Sequence, residues 1–254
     1  MKNTILSNLR QSIFTGRFLL CVIFVAAAVF LASMETLLDA FRSADPLAYG
    51  FHGSFILEAT ATDTIIFCLP IICALPFAGS FVDDVKTGFI KLYIHRVSRR
   101  AYIFGKVLGC IVSGGLVVVM GLFLAYGTAA LLFLPMEAAP QPDAENPEYF
   151  RDLLSVCGLF FLSGGLWSLF GMTMSARMAS KYIAYASPFI IYYVLIILHE
   201  RYFEWLYVLY PKAWLFPGEE WIIGKWSVVP VVLELILMTA LCFARSVKRR
   251  VSEI

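Results

Sequence analysis

Glu234 is the one acidic residue that falls well inside an apolar run of this 254-residue chain. A carboxylate at the centre of a bilayer costs about 3 kcal/mol on insertion scales, so it must meet a cavity, a partner or a proton. Proton transfer is one role open to it; a structural hydrogen bond to a neighbouring helix is the simpler one. The other residues able to do chemistry do not group. His52, His95 and His199 are far apart, and no HExxH or CxxC occurs. Cys21, Cys68, Cys73, Cys110, Cys157 and Cys242 all lie in apolar runs, where cysteine reads as a small buried hydrophobe rather than as part of a disulfide framework or a zinc site. No GxxxxGK[ST] loop is present: Gly105-Lys106 is followed by Val107 and lacks the upstream glycine. Glu219-Glu220 lacks the arginine expected after a protease glutamate pair, and Ser113 and Ser163 precede Gly-Gly without forming GxSG. Enzyme chemistry, a metal and a bound cofactor therefore find no support in these residues.

The most informative polar stretch runs from Asp83 to Arg100. Val85, Phe89, Leu92 and Tyr93 form one apolar stripe at helical spacing; Asp83, Asp84 and Lys91 fall off it and Lys86 borders it. Gly88 lies within the stretch, and Arg96, Arg99 and Arg100 follow as a basic turn. Ser98 is a natural N-cap for what comes next. The residues predict a short amphipathic helix that either fills a groove on a partner protein or lies on a membrane surface held by its arginines.

That stretch must be carried by a membrane scaffold. Hydrophobic residues make up 60% of the chain and charged residues 15%, well below the roughly 25% charge of a soluble domain. The net charge of +2 gives no argument for nucleic acid. Apolar runs at Phe18–Met34, Thr64–Val82, Val107–Leu134, Leu153–Ser175, Tyr182–Leu198 and Ser227–Ala244 predict six transmembrane helices in one all-α domain, residues 1–254. The runs are continuous, as helices require, and do not alternate as barrel strands would. Pro70 and Pro76 interrupt the second run, Pro188 the fifth and Pro230 the sixth. Gly105, Gly109 and Ser113, and likewise Gly164 with Ser168 and Gly171 with Ser175, repeat at four-residue spacing and predict close helix packing. No convincing repeat relates the two halves.

Basic residues set the orientation. Lys2, Arg10, Arg17, Lys86, Lys91, Arg96, Arg99, Arg100, Lys106, Arg177, Lys181, Arg245, Lys248, Arg249 and Arg250 fall on one side, against Arg42, Arg151, Arg201, Lys212 and Lys225 on the other. Glu137, Asp143, Glu145, Glu148 and Asp152 join the sparse side. Both termini are thus expected in the cytoplasm of a plasma membrane, a bacterial one being the expected setting. The basic start and small Ala32-Ser33 also resemble a cleaved leader, but the leader would be long and would leave an odd number of spans. Residues 1–17, with Ile5, Leu9 and Ile13 at i, i+4 and i+8, predict a helix in the membrane interface; a disordered basic leader is the plainer reading. Residues 199–226 hold nine aromatic side chains broken by Pro211 and Pro217-Gly218, and predict short segments partly embedded in the outer leaflet before the sixth helix, or a simple aromatic anchor.

This layout, with Asp84, Gly88, Ser98-Arg99, Tyr102 and Lys106, resembles the permease subunits of type-2 ABC transporters. The family usually has Glu where Asp84 stands and a proline near Arg96 or Val97. The resemblance implies a subunit that pairs with a second copy of itself or a related permease, contacts membrane lipids, and binds separate ATPase subunits through Asp84, Lys86, Gly88, Phe89, Tyr93, Arg96, Arg99 and Arg100. It implies export of peptide, lipid or drug-like cargo, with ATP hydrolysis in the partner. An ion-coupled secondary transporter using Glu234, or a non-transporting assembly or sensor subunit, are the alternatives. The topology is open to direct test: cysteines placed at Asp143 and Glu219 should react with an impermeant reagent on intact cells, whereas Lys248→Cys should not, and outside labelling at position 248 would overturn the arrangement.

Overall fold

The computed structural model describes residues 2–43, 45–90, 98–139, 149–218, 221 and 224–252. It is all-helical, 84% helix, with no strand among the described residues. The helices are α1 (Lys2–Ile13), α2 (Gly16–Ala32), α3 (Met34–Arg42), α4 (Phe51–Thr60), α5 (Asp63–Ala74), α6 (Ser80–Lys86), α7 (Arg99–Phe133), α8 (Tyr149–Met178), α9 (Lys181–Arg201), α10 (Pro211–Leu215) and α11 (Val228–Ser252). By length and composition, four of them can cross a membrane: α7, α8, α9 and α11. The number rises to six if the bent pairs α1–α2 and α4–α5 each count as one span.

The last four predicted spans coincide with these long helices, each extended at one or both ends. Helix α7 begins at Arg99, eight residues before the apolar run, because Ser98 caps it: its hydroxyl accepts the Ala101 backbone NH at 3.3 Å. Its 35 residues reach about 52 Å, well beyond a hydrocarbon core of about 30 Å. Thr15 caps α2 in the same way, accepting the Phe18 NH.

The predicted continuous helix Thr64–Val82 is not found. Helix α5 ends at Ala74, turns occupy 75–79, and α6 starts afresh at Ser80. Pro76 supplies no NH and its ring excludes the carbonyl four residues back, so the helix stops just before it. Pro70, by contrast, sits inside α5. On the other side α5 meets α4 at 69°. The hydroxyls of Thr60 and Thr62 donate to the carbonyls of Leu57 and Ala59 at 2.7 Å, and the Ala59 carbonyl also accepts the Thr62 backbone NH at 3.2 Å, so the end of α4 is closed by its own last turn.

The first helix forms within the residues expected for it. Helix α1 packs against α7 and meets α2 at 50°. Its buried positions are Asn8 and Ser12, not the Ile5–Leu9–Ile13 stripe, while Leu6 is exposed. The small polar pair permits a close approach: a Cβ at Gly109 of α7 would lie 3.6 Å from the Asn8 carbonyl.

Helices α7 and α8 form the centre. Helix α7 touches α1, α2, α4 and α5; α8 touches α4, α5, α9, α10 and α11. Half of the most apolar stretch of α7 and 61% of that of α8 are buried, against 28% for α9 and 22% for α11. Small residues set the spacing. A Cβ at Gly114 would press on Ser168 and lie 2.7 Å from the Gly164 carbonyl, and one at Gly165 would lie 2.9 Å from the Ile111 side chain. Cys110 Sγ and Ser168 Oγ meet at 3.1 Å across the same seam. Segment 199–226 folds back onto this pair: α10 is buried, Trp214 stacks on Trp167 of α8 at 6.0 Å, and its indole NH donates to the Val208 carbonyl at 2.8 Å.

Gly114→Leu should therefore cost about 2 kcal/mol or more by overpacking the seam, whereas Gly127→Leu, which meets nothing within 4 Å, should be neutral or slightly stabilising. Unfolding in mixed detergent micelles measures both.

Candidate functional site

The basic ends of α5–α6, α7 and α9 converge on two aspartates at adjacent positions of one short helix. Asp84 faces α7. Its Oδ2 lies 2.8 Å from Lys106 Nζ and accepts the Tyr102 hydroxyl at 2.7 Å. Tyr102 and Lys106 are one helical turn apart on α7, so both point to the same side. Lys106 is 2% exposed and Asp84 14%. The ammonium also lies over the Phe77 ring at 5.0 Å and the Tyr102 ring at 5.8 Å. Removing a lysine from water is costly; here a carboxylate and two aromatic faces replace its hydration. Asp83, one position earlier, faces the other way and makes an ion pair with Lys181 at the start of α9. Two successive acids thus tie α6 to two different long helices. Gly79 completes the approach, since a Cβ there would meet the Tyr185 hydroxyl at 2.8 Å.

A cavity of about 390 Å³ opens beside this pair of ties, between the α1–α2 elbow and the α5–α6 turn, with Thr15, Arg17, Phe77, Ser80, Asp83 and Asp84 in its wall. After α6 the chain turns sharply at Gly88, whose φ of +72° only glycine adopts without strain. Phe89 follows, 46% exposed, and Ile90 is buried.

Of the residues singled out from the sequence, Asp84 sits at the centre, joined to Tyr102 and Lys106 of the resemblance. Lys86, exposed at the end of α6, and Arg99 and Arg100, exposed at the start of α7, make no part of that cluster. Tyr93 and Arg96 lie outside the described residues. Glu234 is exposed on the flank of α11, with no hydrogen bond or ion pair among the described residues, so the expected bond to a neighbouring helix is not there. The ties Asp83–Lys181 and Lys106–Phe77 were not read from the sequence. A lysine seven residues into a long apolar helix was the available signal for Lys106.

A second polar knot, also unread from sequence, closes the opposite end of the bundle. Glu137, just past α7, accepts the backbone NH groups of Gly50 and His52 at 3.1 and 2.8 Å and pairs with His52 Nδ1 at 2.7 Å, while His52 Nε2 meets the Tyr126 hydroxyl at 3.2 Å. Burial pushes the Glu137 carboxyl up, but the His52 NH, the His52 ring and the Gly50 NH together outweigh it and hold the group below its ordinary 4.5. The carboxylate also sits at the N-terminus of α4, where negative charge is favoured. Nearby, Lys212 Nζ donates to Asp63 at 2.9 Å and fastens the 199–226 segment to the start of α5. No group of three His, Cys, Asp or Glu side chains that could hold a metal occurs among the described residues.

No known protein-family model matches the chain, and no curated protein matches it either.

The Asp84–Lys106 tie yields a test of whether the cluster is an integrated unit. Lys106→Met should destabilise by about 3 kcal/mol, because it strands a half-buried carboxylate. Adding Asp84→Leu should recover more than half of that loss. A double variant no better than the single one, in chemical unfolding of the purified protein, would show that the two side chains act independently.

Proposed function

We propose that this chain is the membrane-embedded permease subunit of an ATP-driven transporter of the type-2 ABC kind, working with a separate ATPase. The reading takes the basic end as cytoplasmic, counts the two bent helix pairs as spans to make six, and places both termini on the inner side of a plasma membrane. The observation that carries it is the contact of Asp84 with Tyr102 and Lys106. Three positions on which the sequence resemblance rests, up to 22 residues apart, meet as one buried cluster directly beside the segment expected to meet the ATPase.

The geometry suits transmission of force. Segment 83–101 is anchored at its start by Asp83 to α9 and by Asp84 to α7, and its end is continuous with α7 through the Ser98 cap. A push on Phe89 would turn about Gly88 and reach α7 through the Asp84–Lys106 tie. The seam with α8 would carry the displacement into the bundle. There, Ser163 and Trp167 of α8 and Ser187 and Tyr192 of α9 bury polar side-chain atoms with no hydrogen bond among the described residues. Such groups are costly when dry, and an opened α8–α9 interface would present them to water or to cargo. Cargo is expected to be peptide-, lipid- or drug-like, moved outward, through a pathway shared with a second permease subunit.

The experiment is affinity purification of the tagged chain from its own host membranes, with the neighbouring ATPase identified by its phosphate loop and its hydrolysis rate. Wild type should bring the ATPase. Phe89→Asp should lose it while still inserting, since a central aromatic anchor is worth about 2 kcal/mol or more. A wild-type preparation that carries no ATPase from a host whose neighbouring genes encode none would sink the reading.

A further inference from the structure

Four arginines surround a second cavity, of about 540 Å³, between the basic ends of α8 and α11. Arg177 comes from α8; Arg245, Arg249 and Arg250 come from α11, and Ala176 and Ser246 complete the wall. We propose that this cleft holds the phosphate group of an anionic membrane lipid. This inference goes beyond the transporter reading and needs only that the helices cross a bilayer.

The cleft is built rather than incidental. Arg250 donates to the carbonyls of Ala176 and Arg177 at 3.3 and 2.8 Å, capping the end of α8 and fixing the distance between the two helices. Arg177 Nε donates to Ser246 Oγ at 3.4 Å, a second tie across the same gap. A guanidinium is a planar fork of donors that can match two phosphate oxygens at once.

Its height on the bundle is that of lipid headgroups. Along α11 the residues from Leu235 to Ala244 are uncharged, and Arg245 is where basic residues begin; on α8 the same change comes at Arg177. Arg250 binds α8 at that point, so both helices pass from apolar to basic at one level. The surface next to the cleft selects a lipid over a free anion. Leu237, Leu241, Arg245 and Arg249 follow one another at four-residue steps along one face of α11, all exposed, and Leu237 and Leu241 are 60% and 50% accessible. That stripe offers hydrocarbon contact for an acyl chain above and guanidinium groups for the phosphate below. Basic pockets between helices at this level are where anionic headgroups bind.

The test uses the full-length protein in detergent, with phosphatidylglycerol and phosphatidylcholine of identical chains as probes and bound lipid counted by native mass spectrometry. Wild type should retain phosphatidylglycerol about tenfold better than phosphatidylcholine. Arg245→Lys with Arg249→Lys keeps the net charge but removes two forks, and should lower that preference at least about fivefold; Arg250 is left intact to preserve the α8–α11 tie. Leu237→Ser with Leu241→Ser leaves every charge in place and should also weaken retention several-fold. Equal retention of the two lipids by wild type overturns the proposal. So does full preference in the lysine pair, which would make the effect one of diffuse charge. Displacement of phosphatidylglycerol by millimolar inorganic phosphate would make the cleft a free-anion site and overturn the lipid assignment.

Discussion

Helices α7 and α8 touch through Gly114, Gly164 and Gly165, with Cys110 and Ser168 meeting beside them. In a bilayer apolar helices gain nothing by hiding from lipid tails that are equally apolar, so association depends on close packing and polar contacts. Glycine serves this purpose because it lets one backbone lie against another. The other elements are then placed relative to this pair: α1 and α2 lie on the α7 side, α9, α10 and α11 mainly on the α8 side, and α4 and α5 reach both. The peripheral helices keep much of their apolar surface outward, as lipid contact requires, and the central pair gives its surface to the protein.

The polar ties follow from that arrangement. Once α7 is held, Lys106 is enclosed and needs a counter-charge, which Asp84 of α6 supplies. Asp84 can supply it because Pro76 ends α5 and lets the chain re-enter as a short separate helix. The break in α5–α6 is thus linked to the buried ion pair: a straight helix through 64–82 would carry Asp84 on a rigid continuation of α5 instead of on a separate seven-residue helix beside α7. The opposite end repeats the logic with different residues, Glu137 gathering the NH groups of Gly50 and His52 where α4 begins.

Much of this scaffold was legible in the residues. The runs at Val107–Leu134, Leu153–Ser175, Tyr182–Leu198 and Ser227–Ala244 became helices because long apolar runs in lipid have no other way to satisfy their backbones. Ser98 read as a cap and is one. The glycine spacing read as close packing, and Gly109 and Gly164 serve it. The failures share a cause. Apolar composition marks what is buried in lipid but does not say where a helix bends, so the break at 61–62 and the short α4 were missed. On α1 the wheel gave Ile5, Leu9 and Ile13 as an apolar stripe suited to the membrane interface, and that stripe is half-buried; what it did not show is that Asn8 and Ser12 are fully buried. For the site, the local motif pointed to Asp84 and Tyr102, but Asp83–Lys181 links residues 98 positions apart, and no local pattern announces such a partner. Glu234 stood out in sequence for its charge alone, and the fold leaves it on the outer flank of α11.

Helix α5 has 12 residues, about 18 Å of helix, and α4 leaves it at 69°. It is too short to cross a hydrocarbon core of about 30 Å alone. Its main neighbours are α7, α8 and α9, which come later in the chain; α2 and α4, made before it, contribute less. During synthesis, then, α5 emerges before most of the surface that holds it, with Asp63 still without Lys212 and the turn at 75–79 still without α7. The growing polypeptide must keep this segment sheltered at the insertion machinery until α8 and α9 have followed. Substitutions in α8 or α9 that leave their own insertion intact are then expected to show their damage as failure of a segment made long before them.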